Sequence, residues 1–170
     1  MLTQQIDSLS RIASSFSSFA KLPEVAPSQV DIAAKLYQVI TLFRNNSEQV
    51  PIRYVGAEQG VMGIADAEQI GQVFNNLIKN ALQAISGRED GDIIVILKEL
   101  QDRLEVSVSD NGGGIAEDIR DKVFMPNFTT KSTGAGLGLA ISKNIVEGCG
   151  GKMTFSTSKK GTTFIVTIRK

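Results

Sequence analysis

The chain has 170 residues, 42% of them hydrophobic, enough to bury one core and carry one appended element. Lys+Arg 18 balance Asp+Glu 18, so no broad positive surface for nucleic acid is expected. The single cysteine, Cys149, excludes an internal disulfide framework and fits a reducing compartment, while no secretory signal and no run of about 18 apolar residues appears.

Residues 2–22 read as an amphipathic helix. Leu2, Leu9 and Phe16 fall seven apart, as do Ile12 and Phe19, and as do Ile6, Ala13 and Ala20. Such a stripe could belong to a core helix of the main domain. Heptads that hold register until Pro23 suit a bundle seam better, which calls for a partner helix from a second chain. Pro23 to Ser28 reads as a linker, and Val30 with Ile32 as a short strand. Asp31 then precedes a helix carrying Leu36, Val39, Ile40 and Phe43, ending near Asn45 and Asn46. Ile52 to Val55 and Val61 to Ala65 read as a hairpin-like pair around Gly56 to Gly60. Asp66 to Ile85 is the clearest helix, with Asp66 and Gln69 as a capping box and Ile70, Val73, Phe74, Leu77, Ala81 and Ile85 as its core stripe. Gly87 to Gly91 closes it. Strands follow at Ile93 to Leu97 and Leu104 to Val108, and a last pair at Met153 to Thr157 and Thr163 to Ile168 flanks Lys159-Lys160-Gly161. This order predicts an α+β fold with helices on one face of a mixed sheet.

The chemistry concentrates between Asp110 and Leu139. Leu104, Val106 and Val108 alternate with Glu105, Ser107 and Ser109, and Asp110 continues the apolar side. A carboxylate aimed at an inner face requires hydrogen-bond donors. Glycines 112, 113 and 114 let a backbone approach closely, although Asp-Asn-Gly-Gly is also a common turn. Gly134, Gly136 and Gly138 run into Leu137, Leu139, Ala140, Ile141, Ile145 and Val146 at helical spacing, which leaves free N–H groups at a helix start, a seat for phosphate. Their spacing matches neither the dinucleotide fingerprint nor the phosphate-binding loop. Gly150-Gly151-Lys152 lacks the hydroxyl that loop requires and reads as a turn into a strand. Phe124 and Phe128 read as anchors of a mobile loop, with Thr129, Thr130 and Lys131 facing phosphates; a surface turn with an aromatic cluster is the plainer alternative. High glycine and threonine density from 129 to 138 predicts disorder or several conformations there. Asn75, Asn76 and Asn80 sit inside the strongest helix, where Asn is a poor former. Asn76 and Asn80 share a face, either as boundary residues or as oxygen donors to a hard cation such as Mg²⁺.

Taken together, Asn76-Leu77-Ile78-Lys79-Asn80-Ala81, Asp110-x-Gly112-x-Gly114, the segment Phe124 to Lys131, and Gly134-x-Gly136-Leu137-Gly138-Leu139 closely resemble the ATP-binding domain of sensor histidine kinases. The resemblance extends over roughly residues 29–170 and reaches the wider superfamily of DNA gyrase, Hsp90 and MutL. It implies a two-layer α/β sandwich, a mixed sheet on three helices. It implies ATP and Mg²⁺ as ligands, with Asn80 on the metal and Asn76 near metal and phosphates. By the same resemblance Asp110 accepts the adenine amino group, with Thr162 or Thr163 assisting through water, and Gly112 and Gly114 shape the adenine side. Residues 115–135, from Ile115 on, form a lid. Gly134, Gly136, Leu137 and Gly138 form the phosphate-proximal turn, and Thr130, Lys131 and Lys79 are phosphate contacts.

Residues 14–23 resemble the second helix of a dimerisation and phosphoacceptor hairpin, similar to those of the nitrogen-regulation sensors. The implied organisation is 1–22 hairpin remnant, 23–28 linker and 29–170 catalytic domain. With no histidine in the chain, the phosphoacceptor lies elsewhere and the expected object is a fragment of a kinase. Related ATPases carry Glu four positions before the metal-binding Asn, where this chain has Asn76, so weak hydrolysis is expected. The implied partners are the hairpin, a response regulator and a second copy of the chain, with no nucleic acid. The implied location of the catalytic region is cytoplasmic, whatever attaches the full-length protein to a membrane. Cys149 stands where relatives often have His, and little effect on the pocket is expected. The alternatives sharing the pocket are an anti-sigma-type serine kinase and a non-catalytic ATP-sensing module.

Overall fold

The computed structural model describes residues 24–46, 52–126 and 136–170, together with Ile6, Leu9, Ser10, Ala13 and Ser17, which are helical. The rest of the expected N-terminal helix lies outside the described residues. Ile6 and Leu9 are exposed.

In chain order the elements are β1 (Pro27–Asp31), α1 (Ile32–Asn46), β2 (Ile52–Val55), β3 (Met62–Asp66), α2 (Ile70–Ala84), β4 (Ile93–Glu99) and β5 (Arg103–Asp110). A 3-10 helix (Glu117–Lys122), α3 (Gly138–Gly148), β6 (Lys152–Ser158) and β7 (Gly161–Arg169) follow. The strands form one sheet in the order β1-β3-β7-β5-β4-β2, with β6 also on β7. Its pairs are antiparallel except β2 with β4, so the sheet is mixed as predicted. Long β7 holds the centre, with β5 along one edge and β6 then β3 along the other. The core lies between the sheet and α1, α2 and α3. Ile70, Val73, Phe74, Leu77, Ile78 and Ala81 of α2 are buried against Val95, Val106 and Val166 of the same apolar cluster. Each large side chain there contributes about 2–3 kcal/mol.

Three expectations shift. Ile32 starts α1 rather than continuing a strand, because Asp31 caps that helix, its Oδ1 accepting the Ala34 N–H at 3.0 Å. The expected linker is shortened by β1, which begins at Pro27 on a sheet edge, where proline is tolerated. Strands β2 and β3 do not pair with each other; they stand apart, β2 parallel to β4 at one edge and β3 between β1 and β7. Neighbouring apolar runs separated by glycines carry no information on which partner is chosen.

Asp66 also departs from expectation: it ends β3, and α2 begins only at Ile70. Its carboxylate accepts the N–H groups of Glu68 and Gln69, the Gln69 amide and, from across the fold, Ala26 N–H at 2.8 Å. The same segment sets Val25 against Gly148 at the end of α3, where an added Cβ would stand 3.0 Å from a Val25 methyl. Gly150 N–H to Glu147 O and Gly151 N–H to Val146 O close α3 in a Schellman motif, so Gly150-Gly151 is the turn into β6 that the sequence indicated.

Those donors, Ala26 N–H foremost, hold the Asp66 carboxyl below the usual carboxylate range. A lowered folded pKa means stabilisation that is present above the unfolded value of about 3.9 and lost as pH falls through the folded one. Asp66→Ala should therefore lower the unfolding free energy by about 2–3 kcal/mol at neutral pH, with parent and variant converging in acid denaturation series. An equal gap at all pH values would contradict this account.

Candidate functional site

One end of the site is a row across three strands. Asp110 of β5 pairs with Thr162 of β7, which pairs with Thr157 of β6. Buried Leu104, Val106 and Val108 share the helix-facing side with half-buried Asp110. Gly112 N–H donates to Asp110 Oδ1 at 2.9 Å and Thr162 N–H reaches the same oxygen at 3.4 Å. The donors an inward carboxylate requires thus come from the backbone. Thr162 is buried on this face, whereas Thr163 hydrogen-bonds Ser109 on the other face at 2.8 Å. Of the two threonines considered, only Thr162 is beside Asp110.

Gly112 and Gly114 are steric requirements here, whereas Gly113 has open space around it. Gly114 has φ +74, and an added Cβ would lie 1.9 Å from Ser158 O. A Cβ on Gly112 would lie 2.7 Å from Ala84 O, at the C-terminal end of α2. Asn111 ties this corner to the preceding loop: its Oδ1 accepts Asp92 N–H at 2.8 Å and its Nδ2 donates to Asp90 O at 2.6 Å. Ile115 N–H donates to Thr157 Oγ1 at 2.9 Å, and that oxygen lies 2.9 Å from Thr162 Oγ1. Sequence reasoning passed over Thr157, although its register opposite Thr162 follows from a tight hairpin at residues 159–160.

The other end is where α2 meets α3. Asn76 and Asn80 are half-buried, one turn apart, while Asn75 and Lys79 are exposed. Asn76 Nδ2 donates to Gly138 O at 3.2 Å and to Ser142 Oγ at 3.1 Å. This explains a poor helix former inside α2: the amide holds the first turns of α3. Ser142, fully buried, was the other residue missed. Gly136 has φ +68, buried Leu137 precedes α3, and Gly138 is its first residue. The first N–H groups of α3 therefore follow a left-handed turn, the arrangement that suits an anion.

Asn76, at Gly138, and Ala84, at Gly112, lie about 12 Å apart along the α2 axis. Asn80 sits between them. The two amides fit a hard cation as neutral oxygen donors. Among the described residues no cluster of three His, Cys, Asp or Glu could hold a metal alone, so balancing negative charge would have to come from the ligand. Of the expected lid, Ile115 to Met125 includes the 3-10 helix, and Phe124 packs edge-on against Phe155 at 5.7 Å and Phe164 at 6.4 Å. Lys143 Nζ lies 4.8 Å from the centre of the Phe124 ring. Phe128, Thr129, Thr130, Lys131 and Gly134 lie outside the described residues, as does the expectation of disorder from 129 up to 135. Cys149 is buried, its thiol pushed up by desolvation, at the far end of α3 from Gly138.

Residues 65–170 match the family described as histidine kinase-, DNA gyrase B-, and HSP90-like ATPase. The C4-dicarboxylate transport sensor protein DctB of Rhizobium meliloti is 43% identical over 111 residues, covering 65% of this chain and 18% of its own length. The sensor histidine kinase ZraS of Escherichia coli is 35% identical over 167 residues, covering 96% of this chain and 36% of its own. The chain thus spans about a third or less of these curated relatives. Among solved structures, the nucleotide-free catalytic domain of the histidine kinase ThkA superposes with TM-score 0.73 at 32% identity, over 85% of this chain and 96% of that one. ThkA in complex with the response regulator protein TrrA superposes with TM-score 0.77 at 28% identity, over 99% of this chain and 49% of that one.

Asn76→Asp tests the joint between the helices. It replaces a donor by an acceptor opposite the Gly138 carbonyl, which should cost about 1–3 kcal/mol and speed amide exchange at the start of α3. Unchanged exchange there would show that Asn76 does not seat that helix.

Proposed function

This chain belongs to the histidine kinase-, DNA gyrase B-, and HSP90-like ATPase family, and from that premise we propose that it is the catalytic domain of a sensor kinase that moves the γ-phosphoryl group of ATP to a histidine outside this chain. The observation that carries the reading is the inward Asp110 carboxylate, with its oxygen already held by two backbone N–H groups. It stands at the opposite end of the α2 face from the glycine turn at α3. A purine amino group is a donor that such a carboxylate accepts, and phosphates suit the N–H groups following Gly136 and Leu137. Similarity to the ThkA catalytic domain and to ZraS supports the assignment.

In this reading Asp110 and Thr162 bind the base, while Gly112, Gly114 and Ile115 form the wall beside it. Asn76, Asn80 and Lys79 face the phosphates from α2, Gly136, Leu137 and Gly138 from α3, and Thr130, Lys131 and Gly134 from the lid. Mg²⁺ would be held by Asn80, with Asn76 beside it, and would neutralise phosphate charge when bound. The chain's own contribution is to hold the nucleotide straight and to withhold a base from water. Asn76 is an amide and cannot take a proton from water. The γ-phosphoryl therefore stays on ADP until an imidazole nitrogen attacks; the P–N bond forms as the bond to the ADP oxygen breaks.

The acceptor would come from a hairpin whose second helix includes residues 1–22, joined through a short linker to a catalytic domain that begins with β1 at Pro27. A second copy of the chain would complete that bundle, and a response regulator would receive the phosphate, as TrrA is bound to ThkA. We place this catalytic region in the cytoplasm; no helix among the described residues is long and apolar enough to cross a membrane.

Two measurements test the reading. Calorimetry with an ATP analogue and Mg²⁺ should show binding that Asp110→Asn weakens by about 1–3 kcal/mol, with the fold kept because an Asn oxygen still accepts the Gly112 N–H. Supplied with a histidine-bearing hairpin from a similar kinase, the chain should transfer an acid-labile phosphate, while hydrolysing ATP only weakly alone. Acid-stable phosphate would point to a serine kinase, and tight binding without any transfer to a sensing module. Vigorous hydrolysis would contradict the role given to Asn76.

A further inference from the structure

Thr157 takes no direct part in the proposed site, yet its hydroxyl joins two of its groups, Ile115 and Thr162. The inference here rests on the reading that places a purine amino group at Asp110. Thr157 Oγ1 accepts the Ile115 N–H at 2.9 Å, lies 2.9 Å from Thr162 Oγ1, and lies 3.3 Å from Gly161 O. A hydroxyl has one proton to donate and two lone pairs to accept with. If Thr157 donates to Gly161 O and accepts from Ile115 and Thr162, its capacity is filled and each of the three protons has an acceptor. If Thr157 instead donates to Thr162, Gly161 O loses this donor and the buried Thr162 hydroxyl would have to donate toward the Asp110 carboxylate, the acceptor that the base end needs.

We propose that Thr157 is a specificity-determining positioning residue. By taking the Thr162 proton it turns that hydroxyl into an acceptor beside Asp110. The base end of the cleft then presents acceptors to an amino group and no hydroxyl donor to a carbonyl. A 6-aminopurine is favoured over a 6-oxopurine by two residues rather than one, and the second works only through its neighbour on β6. The same bond to Ile115 N–H fixes the start of the lid, so base choice and lid attachment share one oxygen.

The experiment is competition of ATP and of inosine triphosphate against a fluorescent ATP analogue, with Mg²⁺, on the whole chain. Thr157→Val, which keeps shape and removes the hydroxyl, should shrink the preference for ATP over inosine triphosphate by about tenfold. Thr157→Ser should retain that preference. An unchanged ratio in Thr157→Val, or a parallel loss for both nucleotides, would overturn the assignment and leave Thr157 a packing residue. Should Thr157→Val fail to fold, Thr162→Val removes the same oriented hydroxyl and should also shrink the ratio; no change there would overturn the proposal equally. Asp110→Asn separates the two levels. If it alters neither affinity, the base sits elsewhere and the nucleotide reading itself fails. If it alters the ratio while the threonine variants do not, only the role of Thr157 falls.

Discussion

The structure turns on one electrostatic requirement: a carboxylate at the end of an apolar strand row must be met by donors or it unfolds the corner that holds it. Asp110 follows buried Leu104, Val106 and Val108 on the helix side of the sheet. Its donors are the N–H groups of Gly112 and Thr162, so the chain must turn back immediately after β5 and lie against β7. Around that turn the backbone passes too close for a side chain at particular glycines. A Cβ at Gly161 would overlap Asp110 O at 1.9 Å, and one at Gly114 would overlap Ser158 O at the same distance. The glycines at 114 and 161 thus go with the close backbone approach around this one acid.

The legibility of this protein in its sequence follows the range of each interaction. The alternation in β5 and the 3.6-residue stripe of α2 are local, and both stand where their periods put them. The inward position of Asp110 was legible because it continues the local two-residue alternation of β5. Partner choice was not legible: β2 and β3 are adjacent in sequence, yet β2 runs parallel to β4 and β3 lies beside β7. The start of α2 was misplaced because Asp66 makes a capping-like set of bonds one turn early while its other contact, Ala26 N–H, is 40 residues away. Thr157 and Ser142 escaped notice for the same reason. A hydroxyl in a strand or helix carries no mark of what it touches, and β-propensity alone accounts for a threonine in β6.

Three polar groups fix the helices to one another and to the sheet. Asp31 caps α1 and also accepts Gly60 N–H at 2.7 Å, joining that helix to the loop before β3. Asp66 gathers the approach to α2 and the segment before β1. Asn76 joins α2 to α3. Both acids sit below the usual carboxylate range through backbone donors, so each is charged, and strongly bonded, across the physiological range. The segment leading in from the N-terminal helix therefore ends on an anchored point. Val25 against Gly148 adds an apolar contact to the far end of α3. Displacing that segment would have to break a charged hydrogen bond on a buried acid.

Asn76 shows how mechanics and chemistry become inseparable at a single position. Its NH₂ group seats α3 through a carbonyl and a buried hydroxyl, a task that requires a donor. A carboxylate in its place would present only acceptors to Gly138 O and Ser142 Oγ, of which only the hydroxyl could turn to donate. A carboxylate is also a base, which an amide is not. An amide excludes that base while holding the helix whose N-terminus suits phosphate. In this chain a donor at residue 76 holds the α2–α3 joint, and under the proposed function the same amide would leave water without a base at that position.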